Sequence, residues 1–166
     1  MRQFEPTVVA LAHALRERGW MLVSAESCTG GLIAAACTAV AGSSDWFERG
    51  FVTYSNAAKT ESLGVQSKLI AAHGAVSAEV ARAMAEGALA HSRAQLAVAV
   101  TGVAGPGGGT RAKPVGTVWL AVATRGANSE TGAEAELLTL AGDRAAVREQ
   151  TVQLALQCLL AHAVRA

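Results

Sequence analysis

Aromatic residues make up only 4% of this 166-residue chain and charged residues only 16%. A core built on stacked rings is therefore excluded, and so is a surface dominated by one sign of charge. Lys and Arg total 14 against 13 Asp and Glu, a formal net charge of +1. No run of five like charges occurs, so the electrostatic footprint of a nucleic-acid-binding protein is missing. Cysteine is also scarce. Cys28, Cys37 and Cys158 are odd in number and widely spaced, which argues against a disulfide framework and fits a reducing cytoplasm. No CxxC or HxxxH pair is present and the four His stand far apart, so no zinc site is expected. The longest apolar stretch, residues 31–41, is too short to span a bilayer. The charge-interrupted start, MRQFEPTVVALAHALRERG, does not read as a signal peptide.

What the chain does have is alanine. Hydrophobic residues reach 51%, and 37 residues are Ala, which let elements approach closely. This composition excludes disorder and collagen-like repeats. The length suits one domain, expected over residues 1–166, able to bury roughly 70% of its unfolded surface without staples.

The pattern alternates strands and helices. An amphipathic helix runs from Pro6 to a stop at Gly19, and a buried strand covers Trp20 to Ala25. A polar turn, Glu26 to Gly31, follows, then a helix over the Ala/Ile/Leu run to Val40. Residues 47–55 are β-rich, and Asn56 caps a short helix ending at Gly64. Further helices are expected over 66–73 and from the Ser77 cap to His91. Strands follow at 95–100, 115–124 and 134–140, with a glycine-rich loop at 101–114 and a polar turn at 125–133. Gly142 and Asp143 cap a last helix over 143–163. βα units with a late hairpin predict an α/β fold, a three-layer α/β/α sandwich with a mixed sheet.

Several residues have chemistry open to them. Ser27 falls where a strand hands over to a helix, the place where ligands collect in open α/β sheets. It reads either as a nucleophile or, like Thr29, as a helix cap. Gly30 and Gly31 would let a substrate approach the backbone. Tyr54 is the only Tyr, and Lys59 is one of three Lys in an Arg-rich chain. They read either as acid–base partners for a serine or as a half-buried strand Tyr and a solvated Lys. Cys28 is a rival nucleophile or a small buried hydrophobe. The loop Gly102 to Gly109, opened by Thr101, cradles a phosphate or simply connects two strands; no Gly-Lys-Ser/Thr ends it, so it is not a P-loop. Arg144 stands in the first turn of the last helix, against the dipole. It either holds an anion or pairs with an acid such as Glu149.

Six stretches occur in the order of one family's motifs: SAESCTGG (24–31), GSSDWFERGFVTYSNAAK (42–59), HGAVS (73–77), TGVAGPG (101–107), KPVGTVW (113–119) and GDRAAVR (142–148). Essentially the whole chain resembles the CinA C-terminal family, whose stand-alone members are nicotinamide-nucleotide amidohydrolases. The resemblance implies hydrolysis of the carboxamide of nicotinamide mononucleotide to nicotinate mononucleotide and ammonia, in pyridine-nucleotide salvage. The alternative is a nucleotide-binding module of the same fold without turnover. The family's catalytic residues match Ser27, Tyr54 and Lys59. Cys28, Thr29, Gly30, Asn56, Thr101, Gly102, Gly105 and Arg144 are the expected substrate contacts. The implied mechanism has Ser27 attacking, Lys59 taking the proton directly or through Tyr54, and N–H groups of residues 28–30 holding the oxyanion. The resemblance further implies a homodimer without metal or organic cofactor. The family's longer form, with a preceding pyrophosphatase domain, is not expected here, and competence is not implied.

Overall fold

The computed structural model describes residues 1–126 and 130–165. Its five strands form one sheet in the order β2-β1-β3-β4-β5. These are β1 (Leu22–Glu26), β2 (Phe47–Val52), β3 (Leu96–Gly102), β4 (Thr117–Arg125) and β5 (Thr131–Thr139). β1 lies parallel to both β2 and β3, whereas β3, β4 and β5 run antiparallel in turn. The sheet is therefore mixed, with the parallel half at one end. The helices are α1 (Glu5–Arg18), α2 (Leu32–Thr38), α3 (Asn56–Leu63), α4 (Ser67–His73), α5 (Ala78–Ala90) and α6 (Arg144–Arg165).

Period-two alternation divides the core into two layers. Leu96, Val98, Val100, Val118, Leu120 and Val122 face one side, where α1 and α6 supply Leu11, Leu15, Val152 and Leu156. Ala97, Ala99, Ala121 and Ala123 face the other, against Val80, Ala81, Met84 and Ala88 of α5. The alanines thus lie mainly on the α5 side, where their short side chains admit the helix. Gly87 continues this close approach. A Cβ there would stand 2.1 Å from the Leu63 carbonyl oxygen, which ties α5 to the end of α3.

The three-layer expectation holds, and several boundaries move for local reasons. Gly19 adopts a left-handed φ of 63°, and Trp20 N–H then bonds back to the Leu15 carbonyl, so β1 starts at Leu22 rather than Trp20. β2 stops at Val52. Ser55, not Asn56, caps α3, its hydroxyl accepting from Ala58 N–H at 3.0 Å. β4 begins at Thr117 and β5 already at Thr131, inside the stretch expected to be a turn. Residues 127–129 of that turn lie outside the described residues. Asp143 caps α6 as expected, accepting from Ala146 N–H at 2.9 Å.

Candidate active site

Ser27 follows β1 directly, and its N–H extends the ladder by bonding to the Val100 carbonyl at 3.0 Å. The chain then turns through Gly30 (φ 59°) and Gly31 (φ 98°) into α2, a backbone path that side-chain-bearing residues rarely follow. Glu26 holds this turn from within. It is fully buried, and its carboxylate accepts from the Gly31 and Ile33 N–H groups at 3.0 Å and from Ala34 N–H at 2.8 Å. The Thr29 hydroxyl donates to it at 2.6 Å. Glu26 therefore caps α2, and neither Ser27 nor Thr29 does.

Freed from capping, the Ser27 hydroxyl meets Lys59. The side chain of Lys59 is only 1% exposed, and its Nζ lies 3.1 Å from Ser27 Oγ. Its other partners are the carbonyls of Thr53 at 2.8 Å and Tyr54 at 3.5 Å. No carboxylate is among these partners, and burial pushes the amine below the usual lysine range. The lowering comes from burial and not from Arg144. The Cys28 thiol works in the opposite sense on Lys59 and is itself pushed up to about 11 by burial, which leaves it a poor nucleophile.

Ser27, Cys28, Tyr54, Asn56, Lys59, Thr101, Gly102, Gly105 and Arg144 all line one open cavity of about 310 Å³. The Thr101 hydroxyl there donates to the Ala75 carbonyl at 2.9 Å. A larger groove, about 820 Å³, lies between α3, α4 and α5. Leu63, Val65, Leu69 and Ala83 line much of it, with Lys68, Glu86 and Thr131 also on its wall. Among the described residues, the serine–lysine contact of Ser27 and Lys59 belongs to the smaller cavity, which is therefore the chemical one.

Three expectations need correction. The Thr29 side chain is buried on Glu26, and neither Thr29 nor Gly30 lines the cavity; the Gly30 N–H is spent on the Ser27 carbonyl at 3.0 Å. Tyr54 is 59% exposed, and its hydroxyl accepts from Arg144 Nη2 at 2.8 Å, while Lys59 touches only its carbonyl. Arg144 does not pair with Glu149, whose carboxylate instead accepts from Gln3; its Nη1 donates to the Gly105 carbonyl at 2.8 Å. Two residues at the site were not singled out in the sequence, Glu26 and Arg148. An acid closing an apolar strand just ahead of a helix was the available signal for Glu26. Nothing local marks Arg148, which reaches the turn from α6.

Among the described residues, no group of three or more His, Cys, Asp or Glu could hold a metal ion. No described helix is long and apolar enough to cross a membrane.

A mixed α/β/α sandwich with a buried serine–lysine contact at the carboxyl end of a parallel strand defines a class of protein built to act on a small ligand at that strand end. More narrowly, the chain belongs to the CinA C-terminal domain family, whose model matches residues 5–163. It is 52% identical over 149 residues to nicotinamide-nucleotide amidohydrolase PncC of Escherichia coli K12, covering 90% of this chain and 88% of that one. It is 56% identical over 151 residues to a putative competence-damage inducible protein of Symbiobacterium thermophilum, covering 89% of this chain. The chain spans about a third of that longer relative, 35% of its length. The crystal structure of competence/damage inducible protein CihA from Agrobacterium tumefaciens superposes with a TM-score of 0.88 at 46% identity, covering 95% of this chain and 94% of that one. A CinA-superfamily protein from Klebsiella pneumoniae gives a TM-score of 0.90 at 38% identity, covering 97% and 98%.

Proposed function

We propose that this protein is an amidohydrolase that converts nicotinamide mononucleotide and water to nicotinate mononucleotide and ammonia, with Ser27 as nucleophile and Lys59 as base. The observation that carries the reading is the 3.1 Å approach of a buried, carboxylate-free lysine amine to the serine hydroxyl. A neutral amine has two N–H groups and one lone pair. The carbonyls of Thr53 and Tyr54 take up the two N–H groups, so the lone pair faces Ser27 Oγ. The proton passes directly from Ser27 to Lys59 as Oγ bonds to the amide carbon, and the carbonyl electron pair moves to oxygen. Lys59 then protonates the departing nitrogen. Water, deprotonated by the same amine, cleaves the acyl-enzyme and frees the carboxylate.

Tyr54 belongs to the cavity wall in this scheme, since its hydroxyl is engaged with Arg144 rather than with the base. Arg144 is the residue for the substrate phosphate, a charge-assisted contact that would offset its awkward place in the first turn of α6. Asn56, Thr101, Gly102 and Gly105 complete the substrate contacts, and no metal or organic cofactor takes part. The same reading makes the protein a cytoplasmic homodimer, which sedimentation of the purified chain checks.

The direct test is ammonia release from nicotinamide mononucleotide by the purified protein, with nicotinate mononucleotide identified as product. Ser27→Ala should lose roughly a thousandfold or more in kcat. Cys28→Ala should keep most of the activity, since its thiol stays protonated. A dead Cys28→Ala beside an active Ser27→Ala would reverse the nucleophile assignment.

A further inference from the structure

The backbone of the nucleophile turn is almost fully committed. From Ser27 to Ala34, the N–H groups of Ser27, Gly30, Gly31, Leu32, Ile33 and Ala34 each have a partner: the carbonyls of Val100, Ser27 and Thr29, and the Glu26 carboxylate. Among the described residues, only the N–H groups of Cys28 and Thr29 in this run have no partner outside their own residue, the Cys28 N–H facing its own thiol. They follow the nucleophile immediately, and Cys28 lines the cavity.

The carbonyls of the same two residues are held by one side chain. Arg148 Nε donates to the Cys28 carbonyl at 3.2 Å, and its Nη2 donates to the Thr29 carbonyl at 3.1 Å. Its guanidinium lies over the turn, 3.6 Å from where a Cβ on Gly30 would stand. A trans peptide directs its C=O and N–H to opposite sides. Drawing the Cys28 carbonyl toward Arg148 fixes the plane of the Cys28–Thr29 peptide and with it the rotation of Cys28, so the Cys28 N–H on the cavity side keeps one direction. The glycines after Thr29 supply no stiffness of their own, so the orientation needs an external clamp. Arg148 stands one turn after Arg144 on α6, and the two arginines divide the work. Arg144 ties down Tyr54 and the Gly105 loop, and Arg148 ties down the nucleophile turn.

We propose that Arg148 is a positioning residue: by holding the Cys28 and Thr29 carbonyls it fixes the turn so that the N–H of Cys28, the residue after the nucleophile that lines the cavity, receives the oxyanion formed on the substrate carbonyl. This rests on the amidohydrolase reading above. The donor is useful only if aimed before the reaction, at the oxygen position of the tetrahedral state. Arg148 touches neither substrate nor reacting atoms. Its loss should therefore lower kcat and leave ground-state binding nearly unchanged.

The test compares wild type, Arg148→Met and Arg148→Lys on nicotinamide mononucleotide and on the phosphate-free nicotinamide riboside. The 3-formylpyridine nucleotide serves as inhibitor, because Ser27 adds to its aldehyde, passes its proton to Lys59 and forms the same oxyanion. Arg148→Met should lose roughly 10- to 100-fold in kcat on both substrates, with KM changed less than about threefold. The aldehyde should bind weaker by the same factor as the kcat loss. Arg148→Lys, which keeps one donor for one carbonyl, should fall between the two and serves as the readout if the Met variant does not fold. A KM rise confined to the nucleotide would overturn the proposal and make Arg148 a phosphate contact. Unchanged kcat in a folded variant, or loss of kcat with no loss of aldehyde affinity, would overturn it as well. An inactive wild type would instead remove the amidohydrolase reading on which the proposal rests.

Discussion

Lys59 and Glu26 are two buried ionisable side chains at one turn, and they are stabilised in opposite ways. Glu26 has donors on both carboxylate oxygens, whereas Lys59 has only neutral oxygens around it. Replacing Glu26 by Gln puts an NH₂ group where one set of N–H or O–H donors now points. We expect Glu26→Gln to lower stability by roughly 1.5–3 kcal/mol, read as a lower urea midpoint at unchanged slope. A variant as stable as wild type would show that the carboxylate is not what holds the turn. For Lys59 the sign follows from its lowered amine. Activity needs the neutral form, so it should rise with pH through one ionisation lying below the ordinary ~10.4. Between that lowered value and ~10.4 the unfolded chain holds a proton that the folded protein has shed, so this residue's contribution favours folding more as pH increases. Below the window both states are protonated and the buried charge costs stability. Wild type should thus gain on Lys59→Met in melting temperature as pH is raised from roughly 7 to 10. Lys59→Arg should be nearly inactive at every pH, since guanidinium keeps its proton. An active Lys59→Arg enzyme with an unchanged pH profile would take Lys59 out of the base role.

The elements reach their positions through small residues as much as through large ones. α5 rests on alanines of β3 and β4, and Gly87 lets it pass close to the Leu63 carbonyl at the end of α3. α3 also carries Lys59, so the α3–α5 contact and the serine–lysine distance are mechanically linked. Gly87→Ala gains helix propensity yet inserts a methyl group against backbone that has no rotamer to change. We expect a net loss of roughly 1–3 kcal/mol, with a drop in kcat as α3 shifts. A more stable, fully active Gly87→Ala protein would mean that α3 can move aside without disturbing Lys59. The capping correction belongs at this scale too. Ser55 and Asn56 both have cap chemistry, and one residue's difference cannot be resolved from composition. The end of β2 resolves it: Thr53 N–H still bonds across to the Glu26 carbonyl, which leaves Ser55 as the first residue free to turn.

At the scale of the molecule, one sheet is shared by two helical layers, and its central strands contribute alternate residues to both. Neither layer has a sheet of its own, so losing one exposes the back of the other. Unfolding should therefore be a single transition. Trp46 lies in the α1/α6 layer and Trp119 packs against the α5 layer. Variants keeping only Trp46 or only Trp119 should each show fluorescence and far-UV circular dichroism melts that coincide. A separate, earlier transition at Trp119 would show that the α5 layer opens on its own.

The sequence by itself determined the α/β alternation, the buried strand ahead of the nucleophile, and the strand-to-helix turn that carries Ser27. Periodicity, glycine stops and caps act within a few residues and are written locally. Motif order also singled out Ser27, Tyr54, Lys59, Thr101 and Arg144, which the fold brings around one cavity. Only the tertiary structure decided which side chain meets which. Lys59 finds Ser27 from 32 residues away, Arg144 finds the Tyr54 hydroxyl from 90 and Arg148 finds Cys28 from 120. Those pairings depend on where α3 and α6 dock against β1 and β3, and docking is set by the packing of the whole core rather than by any local propensity.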